Sequence, residues 1–194
     1  TDVPLEWAYG RPVEVGDVLD TFVDRIIDYK AAIVRCPAVK VPQAIREAAQ
    51  KLQIASAVVP VGLPAEWQDA LRASGVEVRV DRQDAQLTNA ELNQTTAVVT
   101  AAAVAAAQTG TIILDHSADQ GRRALSLVPD VHLCVVRADQ VVSGVPEAVA
   151  RVKAAVVAGQ PLTWISGGSA TSDIELSRVE GVHGPRKLHV ILAE

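Results

Sequence analysis

Polar side chains crowd into one stretch of the chain, Ile165 to Val190, which reads ISGGSATSDIELSRVEGVHGPRKLHV. Gly167 and Gly168 let the backbone approach a ligand closely, and Ser169, Thr171 and Ser172 add hydroxyls. The spacing predicts a helix directly after this loop, and the free amides of a helix start favour an anion. The loop has neither the lysine of a Walker loop nor the spacing of the dinucleotide fingerprint. Ser172 and Glu175 also form the S-x-x-E of a capping box, so the same residues can simply close a helix start. Glu175, Glu180 and His183 are the groups that could supply acid–base chemistry, the histidine being presented by a Gly-Val-His-Gly-Pro turn. A catalytic carboxylate needs burial or a charged partner to shift its pKa. Glu175 and Arg178, three apart, read instead as a surface ion pair. His183, His189 and Glu180 lack any standard ligand spacing, so no metal is expected. No G-x-S-x-G elbow is present, which argues against a serine hydrolase.

A second dense stretch, QTGTIILDHSADQGRRALSLVPD, runs from 108 to 130. Gln108 and Thr109 precede an apolar strand, and Asp115 and His116 stand at its end, where parallel sheets place ligand contacts. Arg122 or Arg123 could grip a carboxylate or phosphate bidentately, or tie a loop to the sheet through a salt bridge. Adjacent residues point to different sides, so at most one of the two arginines faces a ligand.

The elements that must position these groups alternate. Irregular residues 1–16 form an arm, and a single domain over 17–194 is expected. Asp17 can cap a helix reaching about Tyr29. Strands are predicted at 31–36, 55–61, 76–81, 97–101, 111–116, 131–137, 162–167 and 187–193. Helices are predicted at 41–53, 64–75, 102–110, 119–127 and 145–159, with a short helix or turn at 88–95. This order argues an α/β fold with a mainly parallel sheet and helices on both faces. Ligands then belong beyond the carboxyl ends of the strands, which nominates the loops after Asp81, Ala101, Asp115 and Ser166.

Composition excludes several classes. With 18 basic and 23 acidic residues, a net charge of −5 and no basic run, nucleic-acid binding is disfavoured. The longest weakly polar run, Ala97 to Ala107, is too short for a membrane span, and no secretion-signal pattern opens the chain. Cys36 and Cys134 each lie in or beside an apolar run and read as buried, reduced thiols, which points to the cytoplasm. Two cysteines cannot supply the four ligands of an iron–sulfur cluster.

TGTIILD…QGRRALSLVPDVHLCVVRADQVV, followed by ISGGSATSDIELSRVEGVHGPRKLHVIL, resembles the lactate utilization protein C family, also called the LUD domain or DUF162. The likeness is close over about residues 95 to 193. It implies a NagB/RpiA/CoA-transferase-like α/β fold. It also implies a role in oxidising L-lactate to pyruvate beside two cysteine-rich partner proteins that carry the iron–sulfur clusters. No cofactor is then expected on this chain. The family loop usually reads G-P-S-A-T-A-D-I-E; here Gly168 replaces the proline and Ser172 the second alanine. The common A-E-T-G-T reads Ala107-Gln108-Thr109-Gly110-Thr111, so a usual acid is neutral. The glycine-rich run that usually follows the Asp115 strand is His116-Ser117-Ala118-Asp119. Three readings follow: an accessory or regulatory subunit that binds a small anionic metabolite; an enzyme of the sugar-phosphate isomerase or CoA-transferase type using a carboxylate; or a scaffold with an exposed apolar patch near Trp7 or Trp67.

Overall fold

The computed structural model describes residues 11–171, 179–180 and 184–194. Asp17 caps helix α1 (Val18–Asp28), its Oδ1 accepting from the Asp20 amide at 2.9 Å. Strand β1 (Ala32–Cys36) follows, then α2 (Val41–Lys51), β2 (Ser56–Pro60), α3 (Ala65–Ala73) and β3 (Glu77–Asp81). A short helix α4 (Asn89–Asn93), closed by the Thr88–Glu91 capping box, leads into β4 (Ala97–Ala101). These elements lie where the apolar periodicity and the Pro and Gly punctuation put them.

Strands β7 (Val131–Arg137) and β12 (Lys187–Ala193) complete the main sheet, whose order is β1-β12-β7-β4-β2-β3 with every pair parallel. One face packs on α2 and α3, burying Val59, Val99, Leu133 and Ile191 against Ile45 and Leu71. The other face meets α1 through Phe22 and Ile26.

The second face also carries a sheet that the periodicity does not predict. Residues 102–110, expected as a small helix, instead hold strand β5 (Val104–Ala106) and a turn. β5 pairs with β6 (Thr111–Leu114) antiparallel and with the two-residue β8 (Val141–Val142) in parallel; β6 pairs antiparallel with β9 (Thr163–Ile165). Ala105 faces the main sheet, while Val104 and Ala106 face helix α5 (Val145–Val157). Alanine favours helix in isolation. Here small side chains are what fit between two layers, and lateral bonds such as Ala103 N–H to Ile113 O at 3.0 Å take the place of a helical ladder. The helix expected at 119–127 shrinks to a 3-10 turn at Arg123–Ser126. Past β9, the short strands β10 (Ala170–Thr171) and β11 (Val179–Glu180) pair antiparallel; the helix start expected at Ser172 lies outside the described residues.

Of the N-terminal arm, residues 11–15 have no regular structure, yet Val13 N–H donates to Ser143 Oγ at 2.8 Å. No helix among the described residues is long and apolar enough to cross a membrane.

Candidate functional site

The glycine loop walls a cavity of about 290 Å³. That is at the lower end of the range for small-molecule sites, about 300–1,000 Å³. Its floor comes from the main sheet, through His132 and Leu188, each the second residue of its strand. Its sides are Ser126, β9 and the 166–169 loop, and Pro185 closes it. The cavity therefore sits at the amino ends of β7 and β12, not at the carboxyl ends. The reason is the second sheet: β9 runs antiparallel to β6, so the loops after Asp115 and after Ser166 leave opposite ends of it.

Local chemistry holds the loop in place. Thr111 Oγ1 lies 2.8 Å from both Thr109 Oγ1 and Ser166 Oγ, a hydroxyl chain that joins the T-G-T and S-G-G motifs. Gly167 has φ +86°, and a Cβ there would sit 2.8 Å from Tyr29 Cβ. A Cβ on Gly168 would come 2.4 Å from the Arg186 carbonyl oxygen. Ser169 N–H donates to Pro185 O at 2.8 Å. The amides of Gly167 and Gly168 donate to nothing among the described residues. Consecutive free amides at a left-handed turn make a concave anion seat.

His132 is 1% exposed and lies 2.8 Å through Nε2 from Thr100 Oγ1. Burial alone pushes its pKa down to about 4, so the ring is neutral at pH 7. Thr100 Oγ1 in turn lies 3.8 Å from Cys134 Sγ, and Cys134 Sγ lies 3.8 Å from Ala101 O. Burial pushes the Cys134 thiol up to about 12, so it is a proton donor and not a nucleophile. Among the described residues the cavity lining contains no carboxylate and no cation.

The other nominated residues lie elsewhere. Arg122 and Arg123 line a second cleft at the carboxyl ends of β2 and β3, together with His116 and Asp81. Arg122 is clamped there: Nε donates to Asp81 Oδ2 at 2.8 Å, Nη2 to Oδ1 at 3.1 Å, and Nη2 also to Leu87 O. Arg123 is exposed and forms no ion pair among the described residues. His116, at φ +61°, donates from Nδ1 to Gly121 O at 2.8 Å, and its Nε2 lies 2.9 Å from Thr163 Oγ1. Thr163 thus stands between the two clefts. Asp115 accepts from Ser117 within its own turn. Gln108 is exposed beside Asp24 and Arg25. Thr171 and Glu180 are placed by the β10–β11 pairing only, and Ser172, Glu175 and His183 lie outside the described residues. Trp67 is half-buried against the α2–α3 core and offers no exposed patch, and Trp7 lies outside the described residues.

Sequence reasoning missed His132, Thr100, Ser126 and Thr163. One signal was available: a histidine inside VHLCVVR, two residues from Cys134 and so on the same strand face.

An α/β core with a parallel sheet, and a second mixed sheet in which a hydroxyl chain links the T-G-T and S-G-G motifs, defines the class. The chain belongs to the LUD domain family, whose model matches residues 19–193. Among individual proteins it is similar to Lactate utilization protein C of Deinococcus radiodurans, 53% identical over 181 residues, 93% of this chain and 82% of that protein. The protein of the same name from Bacillus licheniformis is 33% identical over 100 residues, 50% of this chain and 41% of that one. A solved structure, a DUF162 family protein from Deinococcus radiodurans, superposes with a TM-score of 0.76 at 43% identity, covering 94% of this chain and 100% of that one.

Proposed function

We propose that this chain works in lactate utilization, as an accessory or regulatory subunit of a cytoplasmic system that oxidises lactate to pyruvate. Its task is to bind a small anionic metabolite in the cavity under Gly167 and Gly168. The observation that carries this reading is the pair of unspent amides above a buried neutral histidine, in a cavity of about 290 Å³. A carboxylate fits the amides. Membership of the LUD domain family and the names of the similar proteins supply the pathway.

Electron transfer would then fall to iron–sulfur partner proteins. Cys36 packs on the α2 face of the main sheet and Cys134 on the opposite face, so the two do not form a common ligand set.

Calorimetric titration of the purified chain with L-lactate, pyruvate, acetate and phosphate tests the binding. Saturable heat is expected for a small carboxylate and its loss in Gly168→Val, whose side chain meets the Arg186 carbonyl. No heat from any of the four, or unchanged binding in a cooperatively folding Gly168→Val, would sink the reading.

A further inference from the structure

Strand β9 has a strand neighbour on one side only, since it ends the order β8-β5-β6-β9. The register fixes which of its backbone groups face the open side. Ile113 O accepts from Ala103 N–H, so the Ile113 backbone faces β5. Successive residues of a strand turn their N–H and C=O groups to opposite sides, so Ile112 and Leu114 bond to β9 instead. Their partners there are Ile165 and Thr163. Trp164, between those two, therefore points its N–H and C=O away from β6. Neither group forms a hydrogen bond among the described residues.

This open edge is a wall of the cavity under the glycine loop. Every residue from Thr163 to Ser169 lines that cavity, with Ser126 and Leu127 on another side and His132 and Leu188 as the floor. The unspent amides of Gly167 and Gly168 begin three residues beyond Trp164, about 10 Å of extended chain. Proteins blunt exposed edges with charged side chains or proline. Leu162 to Ser169 contains neither, and Trp164 is 44% exposed.

We propose that the β9 edge and the glycine amides together hold the C-terminal end of an extended peptide. The peptide main chain adds to β9 as a parallel strand, and its terminal carboxylate sits on Gly167 and Gly168. The proposal rests on the anion seat described above and adds a second class of occupant to it. The seat lies at the carboxyl end of β9, so peptide and strand both run towards it. Trp164 N–H then donates to one peptide carbonyl, and Trp164 O accepts from the peptide amide two residues further on. Main-chain bonds supply the affinity, and capture of a chain terminus by backbone amides supplies the direction. A second copy of this chain fits less well: β9 paired with its own copy about a twofold axis is antiparallel and leaves the glycine amides unspent.

The probes are acetyl-Thr-Val-Ala-Val with a free C-terminus, the same peptide as its carboxamide, and acetate, each titrated calorimetrically into the full chain. The free acid should bind at least about tenfold more tightly than acetate, which reaches the amides but not Trp164, and at least about tenfold more tightly than the carboxamide. Methylating the backbone nitrogen of the second or of the third peptide residue should remove the gain at one position and spare it at the other, because only alternate N–H groups face β9. Trp164→Pro deletes the outward N–H without breaking a bond to β6, a position where an edge strand tolerates proline, and should lower peptide affinity to that of acetate. The methylated peptides report on the unmodified protein, whether or not this variant folds. Four results each overturn this inference and leave the anion seat standing: peptide binding no tighter than acetate, equal loss from both methylations, equal loss in Trp164→Ala, which keeps the N–H, and a concentration-dependent dimer that Trp164→Pro abolishes. Failure of acetate and peptide alike overturns the seat itself.

Discussion

Arg122→Ala separates two roles that one arginine could play. Its guanidinium makes three hydrogen bonds, two to Asp81 and one to Leu87 O. The Asp81 side chain is 5% exposed and the Arg122 side chain 27%. Truncation leaves the carboxylate of Asp81 with the Leu87 amide, at 2.8 Å, as its remaining hydrogen-bond partner among the described residues. Breaking a fully buried ion pair costs about 3–5 kcal/mol. The arginine's partial exposure lowers that to about 2–3 kcal/mol, since water can take over part of the solvation. For a domain of this size the loss corresponds to about 5–10 °C in Tm. Arg122→Lys should recover less than half, because an ammonium cannot reproduce the planar fork. Urea denaturation followed by circular dichroism measures the change, and the lactate titration, run well below the transition, measures binding. We expect a lower midpoint and unchanged affinity. Intact stability combined with lost binding would refute the structural assignment and return Arg122 to the ligand.

Three further outcomes follow from the same geometry. The folded-state pKa of His132 is depressed to about 4 from 6.5, so the unfolded chain binds the extra proton first, and stability present above pH 6.5 is lost as pH falls towards 4. The loss is about 3 kcal/mol at most, with His189, also depressed by burial, adding in the same direction. Glu91, held down to about 2 first by the Thr88 amide and then by Arg79, loses its contribution only below that window. A urea midpoint that stays flat from pH 7 to 4, or one that falls equally in His132→Gln, would contradict this. Gly167→Ala should destabilise more than Gly75→Ala. Both have a left-handed φ, +86° and +80°, worth about 1–2 kcal/mol, but only at Gly167 does the new Cβ meet a neighbour, Tyr29. Equal midpoints for the two variants would show that the Tyr29 contact is immaterial. Thr111→Val keeps the branched shape but breaks the Thr109–Thr111–Ser166 hydroxyl chain; a cost of about 1–2 kcal/mol and weaker carboxylate binding are expected, and unchanged affinity would show that the chain does not support the loop.

The main sheet was legible because its strands are short runs of β-branched residues between Gly and Pro punctuation, and α1, α2, α3 and α5 carry the helical period. The second sheet was not. Val104–Ala106 is alanine-rich, and β8 is two residues long, too short to carry a period. Of the site, the glycine loop was visible as a motif, and it does wall the cavity. Its partner His132 was hidden inside a strand that reads as core, and Arg122, equally conspicuous, turned out to be held by Asp81.

By itself, then, the sequence determined the class of fold, the family, and the segment whose backbone can come close to an anion. These are local properties: periodicity, turn chemistry and an ordered motif. Which groups meet was decided only by tertiary structure. The antiparallel pairing of β6 with β9 carries the Ser166 loop away from Asp115 and lowers it over the amino ends of β7 and β12, where His132 is buried and held neutral. Strand direction and burial are set by contacts between residues far apart in the chain, and no spacing along the chain encodes them.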